Sequence, residues 1–232
     1  MKKHFFLIMI VFCCVLASSW AQQNKSLKSM HSLHYDQRVA YFDSLPPIRH
    51  SDIVMLGNSL TEFGGNWNLR LTGKEKGHFI NRGIIGDDAM GMYDRLYQII
   101  PGRPKAIILM AGVNDISHNL SADSVAILVT KLVDKIQKEL PKTKLYLQSL
   151  LPINESTHRW KTMEGKTETV VAVNDRLRQL AISRNVPFIE LFSYFVIPDT
   201  HIMRRELTVD GLHLTPSGYD IWSGILKKEL HL

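Results

Sequence analysis

Short apolar runs alternate with helix-forming stretches along most of this chain, and that alternation limits the folds open to it. Residues 52–57, 79–81, 105–111, 144–151 and 187–191 are each brief and largely apolar. The run at 105–111 is the clearest, and Pro152 ends the run at 144–151. Continuous apolar runs of this length, without strict alternation, fit strands buried on both faces. Helical patterns fall between them at 89–100, 121–140 and 169–184, a last helix runs from Pro216 to about residue 230, and an amphipathic stretch covers 34–45. Repeated strand–helix alternation predicts a parallel sheet with helices on both faces. Ligands of such sheets bind at the carboxyl ends of the strands. The segments 57–59, 83–87 and 112–115 each follow a strand, so all three are expected on one edge.

The first residues read as a removable leader. Lys2 and Lys3 open it, residues 5–16 form an apolar core, and Ser19-Trp20-Ala21 has the small-x-small form of a cleavage site. Residues 1–21 are thus expected to be a secretory signal peptide, followed by a single domain over 22–232. The expected location is secreted or periplasmic. The apolar core is too short for a span of about 20 residues, so no membrane span is expected in the mature chain. Phe12 before Cys13 fits poorly with a lipidated cysteine.

Both cysteines lie in that leader, so the mature chain would depend on its apolar core rather than on disulfides. The formal charge of +6 falls to +4 without Lys2 and Lys3, and the remaining cations are scattered. That pattern gives no nucleic-acid groove. No cofactor or metal site is expected, since the histidines show no ligand spacing, and His31 and His34 read as surface residues.

Chemistry enters with Asp210-Gly211-Leu212-His213. The segment sets a carboxylate three residues before an imidazole, ahead of a helix opened by Pro216. Such a pair can act with a nucleophile, and Ser59 is the candidate, at the end of the first strand. Ser59 could equally be a helix N-cap with Glu62 completing a capping box. Asn114 could donate to an oxyanion together with the N–H groups of Gly86 and Ser59, or belong to an Asn-Asp turn. Gly86 could be a turn glycine only.

Taken together, the blocks G-N-S-L around Ser59, N-R-G-I-I-G-D around Gly86, G-V-N-D around Asn114 and D-G-L-H around His213 resemble the SGNH hydrolases, also called GDSL esterases or lipases. The resemblance implies a flavodoxin-like three-layer α/β/α fold with a five-stranded parallel sheet. It also implies Ser59 as nucleophile, His213 as general acid/base and Asp210 as its support. The oxyanion hole would comprise the Ser59 and Gly86 N–H groups and the Asn114 side chain. Asn58 stands where the family motif has Asp. A G-x-S-x-G elbow is absent, which argues against the ordinary α/β-hydrolase fold.

Candidates for substrate contact are Trp67 and, on the segment 154–166, His158, Arg159 and Trp160. Trp67 could instead be a packed aromatic, and 154–166 a plain surface loop. With no broad apolar lid segment, the expectation is an exported serine esterase for small acyl esters, acetyl in particular, on a small ester or acylated carbohydrate. A lysophospholipase or short-chain lipase, or a carbohydrate-binding module without turnover, are the alternatives. The oligomeric state has no signature in the sequence.

Overall fold

The computed structural model describes residues 32–232; the leader 1–21, both cysteines and His31 lie outside them. Helix α1 (Leu33–Ser44) leads into strand β1 (Ile53–Gly57), then the short helices α2 (Ser59–Phe63) and α3 (Trp67–Thr72). Strand β2 (Phe79–Gly83), α4 (Ala89–Asp94), β3 (Ala106–Leu109), α5 (Val113–Ser117) and α6 (Ala122–Glu139) follow. The chain closes with β4 (Lys144–Gln148), α7 (Thr167–Ser183), β5 (Phe188–Ile189) and α8 (Pro216–Leu230).

All five strands pair in parallel, in the order β2-β1-β3-β4-β5. Right-handed crossovers therefore put α2, α3 and α8 on one face and α4, α6 and α7 on the other. The contacts agree: α3 packs on α8, while α6 packs on α4 and α7. The result is the three-layer α/β/α fold expected from the sequence, with β3 at its centre and all four of its residues buried. Chain direction across the sheet reverses between β1 and β3, and the crevice above that point is where this architecture receives ligands.

Several expected elements come out shorter, two of them for a plain local reason. In β5 only Phe188 and Ile189 join the ladder. Pro187 offers no N–H, and the Ser149 hydroxyl accepts from the N–H of Leu191 at 2.9 Å and of Phe192 at 3.0 Å, drawing the chain out of the sheet. The helix expected at 89–100 is α-helical only to Asp94, then tightens into 3-10 turns at Arg95–Gln98 and Ile100–Gly102. Arg95 anchors this departure. It is 1% exposed, donates from Nε to Asp87 at 2.8 Å, and donates from Nη2 to the carbonyls of Gly57 (3.1 Å) and Arg82 (2.8 Å). A single buried guanidinium thus ties together the carboxyl ends of β1 and β2.

Candidate active site

Ser59 begins α2, and its N-cap is Asn58, whose side-chain oxygen accepts from Leu60 N at 3.0 Å. The capping-box reading of Ser59 and Glu62 is therefore not the one realised. Asn58 does the capping that a motif Asp would do, and its buried Nδ2 has no hydrogen-bond partner among the described residues. Glu62 turns the other way. Its carboxylate accepts from Ile85 N at 2.6 Å, beside Gly86, and is itself held by Arg38 (3.3 Å) and His34 (3.2 Å) of α1. His34 is accordingly paired rather than free on the surface.

Asp210 and His213 sit in the turn before α8. Asp210 Oδ1 accepts from the N–H groups of Leu212 (3.0 Å) and His213 (2.8 Å), and Oδ2 lies 2.8 Å from His213 Nδ1. Burial opposes ionisation of Asp210, but the hydrogen bonds from the His213 ring, the His213 N–H and the Leu212 N–H outweigh it. They hold the carboxyl below its usual range. An ionised carboxylate has no proton to give, so Nδ1 is the donor, and in the neutral ring Nε2 carries the lone pair. That nitrogen lies 3.0 Å from Ser59 Oγ.

The turn is stitched to its surroundings. Thr208 Oγ1 donates to the His213 carbonyl and accepts from Gly211 N, both at 2.8 Å. Thr157 donates to the Asp210 carbonyl at 2.7 Å, and Asn154 N donates to the Gly211 carbonyl at 2.8 Å. Gly211 has φ +93°, and a Cβ there would stand 2.3 Å from the Asn154 carbonyl oxygen, so only glycine fits. The His213 ring meets Phe63 and Trp160 edge-on, each with centroids 5.2 Å apart.

Ser59, Gly86, Asn114, Asp210 and His213 all line one cavity of about 710 Å³. Gly86 has φ +78°, open space where a Cβ would project, and an N–H with no hydrogen bond among the described residues. Asn114 Nδ2 donates one hydrogen to the Asp87 carbonyl at 2.8 Å, which fixes the amide plane and leaves a second N–H. Ser59 N is the first of the unpaired N–H groups at the start of α2. A hydroxyl, an imidazole oriented by a carboxylate, and three nearby N–H donors can together move a proton and stabilise an oxyanion.

Trp160 joins the cavity wall with Thr162 and Met163. Trp67 does not: it is 1% exposed, donates from Nε1 to the Thr61 carbonyl at 3.1 Å, and packs edge-on against Trp222 and Tyr219. His158 and Arg159 are exposed and do not line the cavity; His158 faces Glu164 at 3.6 Å. No group of three or more His, Asp or Glu arranged for a metal occurs among the described residues.

Residues 55–221 match the model of the GDSL-like lipase/acylhydrolase family. The chain belongs to that family. It is therefore a carboxylic ester hydrolase. The rat platelet-activating factor acetylhydrolase IB subunit alpha2 is 27% identical over 173 residues, which is 74% of this chain and 72% of the relative. A GDSL-like lipase from Bacteroides thetaiotaomicron superposes with a TM-score of 0.71 at 23% identity, covering 85% of this chain and 97% of its own. The acetyl xylan esterase AlAXEase does so with a TM-score of 0.64 at 21% identity, covering 77% and 99%. These solved structures share the fold.

Several residues that shape this hydrolase's site do so in ways the sequence did not signal. Glu62 and Arg95 act across the chain, and so does Asn81. Its Nδ2 donates to the carbonyls of Thr61, Glu62 and Gly65, and its Oδ1 accepts from Gly83 N, fastening the end of α2 to β2. Asn81 opens the N-R-G-I-I-G-D block, but nothing in that block points to a bridge from β2 to α2.

Proposed function

We propose that this hydrolase is an exported serine esterase that cleaves short acyl esters, acetyl esters in particular, through an acyl-enzyme. The observation that carries the reading is the unbroken relay from Ser59 Oγ to His213 Nε2 (3.0 Å) and from His213 Nδ1 to Asp210 (2.8 Å), opening into one cavity. His213 takes the Ser59 proton as Oγ attacks the ester carbonyl. The tetrahedral oxyanion accepts hydrogen bonds from Gly86 N, Ser59 N and Asn114 Nδ2. As the intermediate collapses, His213 gives its proton to the departing alcohol. Water then enters, His213 deprotonates it, and the acyl group leaves as the acid.

Two named similarities support a short acyl group: an acetylhydrolase subunit among the relatives and an acetyl xylan esterase among the structures. Export rests on the leader pattern of residues 1–21. One observation favours a second reading, a lysophospholipase or short-chain lipase. The cavity walls include Phe63, Ile85, Met163, Leu212 and Leu214, apolar surface that would suit an acyl chain.

The test is hydrolysis of 4-nitrophenyl acetate, butyrate and octanoate by wild type and Ser59→Ala. The expected result is activity highest on acetate and lost with Ser59→Ala. Equal low rates in both proteins would reject the serine mechanism, and a steep preference for octanoate would select the lipase reading.

A further inference from the structure

We propose that the ester this site accepts carries a fixed negative charge, a carboxylate or a phosphate, received by Arg70. The proposal rests on the esterase reading and narrows its substrate class. Arg70 lies in the last turn of α3 and lines the same cavity as Ser59 and His213. Its Nε donates to the Gly64 carbonyl at 2.5 Å, and its guanidinium carbon lies 4.5 Å from the centroid of the Tyr219 ring. These two contacts fix the plane of the group and occupy neither terminal nitrogen. The Tyr219 hydroxyl in turn donates to the Leu60 carbonyl at 2.8 Å, so the shelf beneath Arg70 is joined to the residue after Ser59.

What Arg70 lacks is an acid. Arg38 and Arg95 have Glu62 and Asp87, whereas no carboxylate pairs with Arg70 among the described residues. Among the described residues, the only acid lining the cavity is Asp210, which His213 already occupies. Arg159 and Lys161, exposed on either side of Trp160, also have no ion-pair partner among the described residues. A planar guanidinium held by Nε and by stacking presents its two outer N–H groups as a fork, the geometry that carboxylate and phosphate oxygens match in pairs. Apolar walls beside it strengthen that attraction by reducing solvent screening.

The experiment compares kcat/KM on matched acetyl esters: phenyl acetate against 3-acetoxybenzoate, and 1-acetylglycerol against 1-acetylglycerol 3-phosphate. In wild type the charged member of at least one pair is expected to be better by roughly tenfold or more, as for a hydrogen bond to a charged group. Whichever pair shows it identifies carboxylate or phosphate. The ratio should collapse towards one in Arg70→Gln and recover in part in Arg70→Lys. Added NaCl should lower the charged ester's kcat/KM in wild type while leaving the neutral ester's, a readout that stands even if the variants fold poorly. Ratios at or below one for both pairs, or a ratio unchanged in Arg70→Gln, would overturn the proposal. If neither member of either pair is hydrolysed above the Ser59→Ala background, it is the esterase reading itself that fails.

Discussion

Asp210 performs two tasks with two oxygens, and they can be separated. Oδ1 organises the turn through two backbone N–H groups, while Oδ2 faces the His213 ring. Asp210→Asn keeps an acceptor for the turn but removes the charge that supports an imidazolium. On the proposed mechanism it should lower kcat on the order of 10³- to 10⁴-fold with little change in melting temperature. Asp210→Ala removes both and should lower the melting temperature as well. Equal thermal stability of the two variants would contradict this division. Asp115 gives a different single-residue prediction. Burial raises its carboxyl to about 7, against the pull of the Ala89 N–H. Between about pH 4 and pH 7 the folded state thus holds a proton that an unfolded Asp has released, so stability declines as pH rises through that window. Asp115→Asn should lose this component, and parallel stability-against-pH curves for the two proteins would refute the assignment.

At the scale of elements, α1 reaches the site through Glu62. Arg38 and His34 hold the carboxylate, and the carboxylate holds Ile85 N beside Gly86. On the proposed mechanism, Glu62→Ala should loosen the Gly86 loop and lower kcat by roughly tenfold or more, with KM little changed, because the Gly86 donor would act on the transition state. An unchanged kcat would show that the loop is fixed by other contacts. The elements themselves were largely legible in the sequence: five apolar runs gave five strands, and the segments following β1, β2 and β3 supply Ser59, Gly86 and Asn114 to one cavity. Illegible were the roles that depend on distant partners. Trp67 follows Ser59 closely enough to suggest a pocket wall, yet α3 turns it inward against Trp222, and only the packing of α3 on α8 decides that. Arg95 gives no sign in the sequence of bonding Gly57, 38 residues away. The β5 boundary likewise depends on Ser149, a hydroxyl from the preceding strand's end.

For the whole molecule, the same buried cation sets both stability and the seating of the site. Arg95 and Asp87 are 1% and 2% exposed, and Arg95 also satisfies carbonyls at the ends of β1 and β2. Arg95→Ala would leave Asp87 and two carbonyls unpaired in the interior, so a loss of about 3–5 kcal/mol is expected in urea unfolding. A loss below about 1 kcal/mol, the scale of a surface ion pair, would mean that water replaces the guanidinium there. The sheet order and the crevice between β1 and β3 would survive a milder change, since β3 is held to its neighbours by ladder pairing and by burial of all four of its residues.

The turn at 208–213 is nearly self-contained. Its threonine, aspartate, glycine and histidine satisfy one another, and Thr157 with the Asn154 backbone supplies its main outside anchors. On the proposed mechanism, proton donor and counter-charge therefore travel as one cassette. Any slackening of the segment carrying Asn154 and Thr157 would withdraw both from Ser59 in a single motion, and transplanting the pair into another α/β/α scaffold would require little more than that turn, its two anchors and a glycine able to pass beneath them.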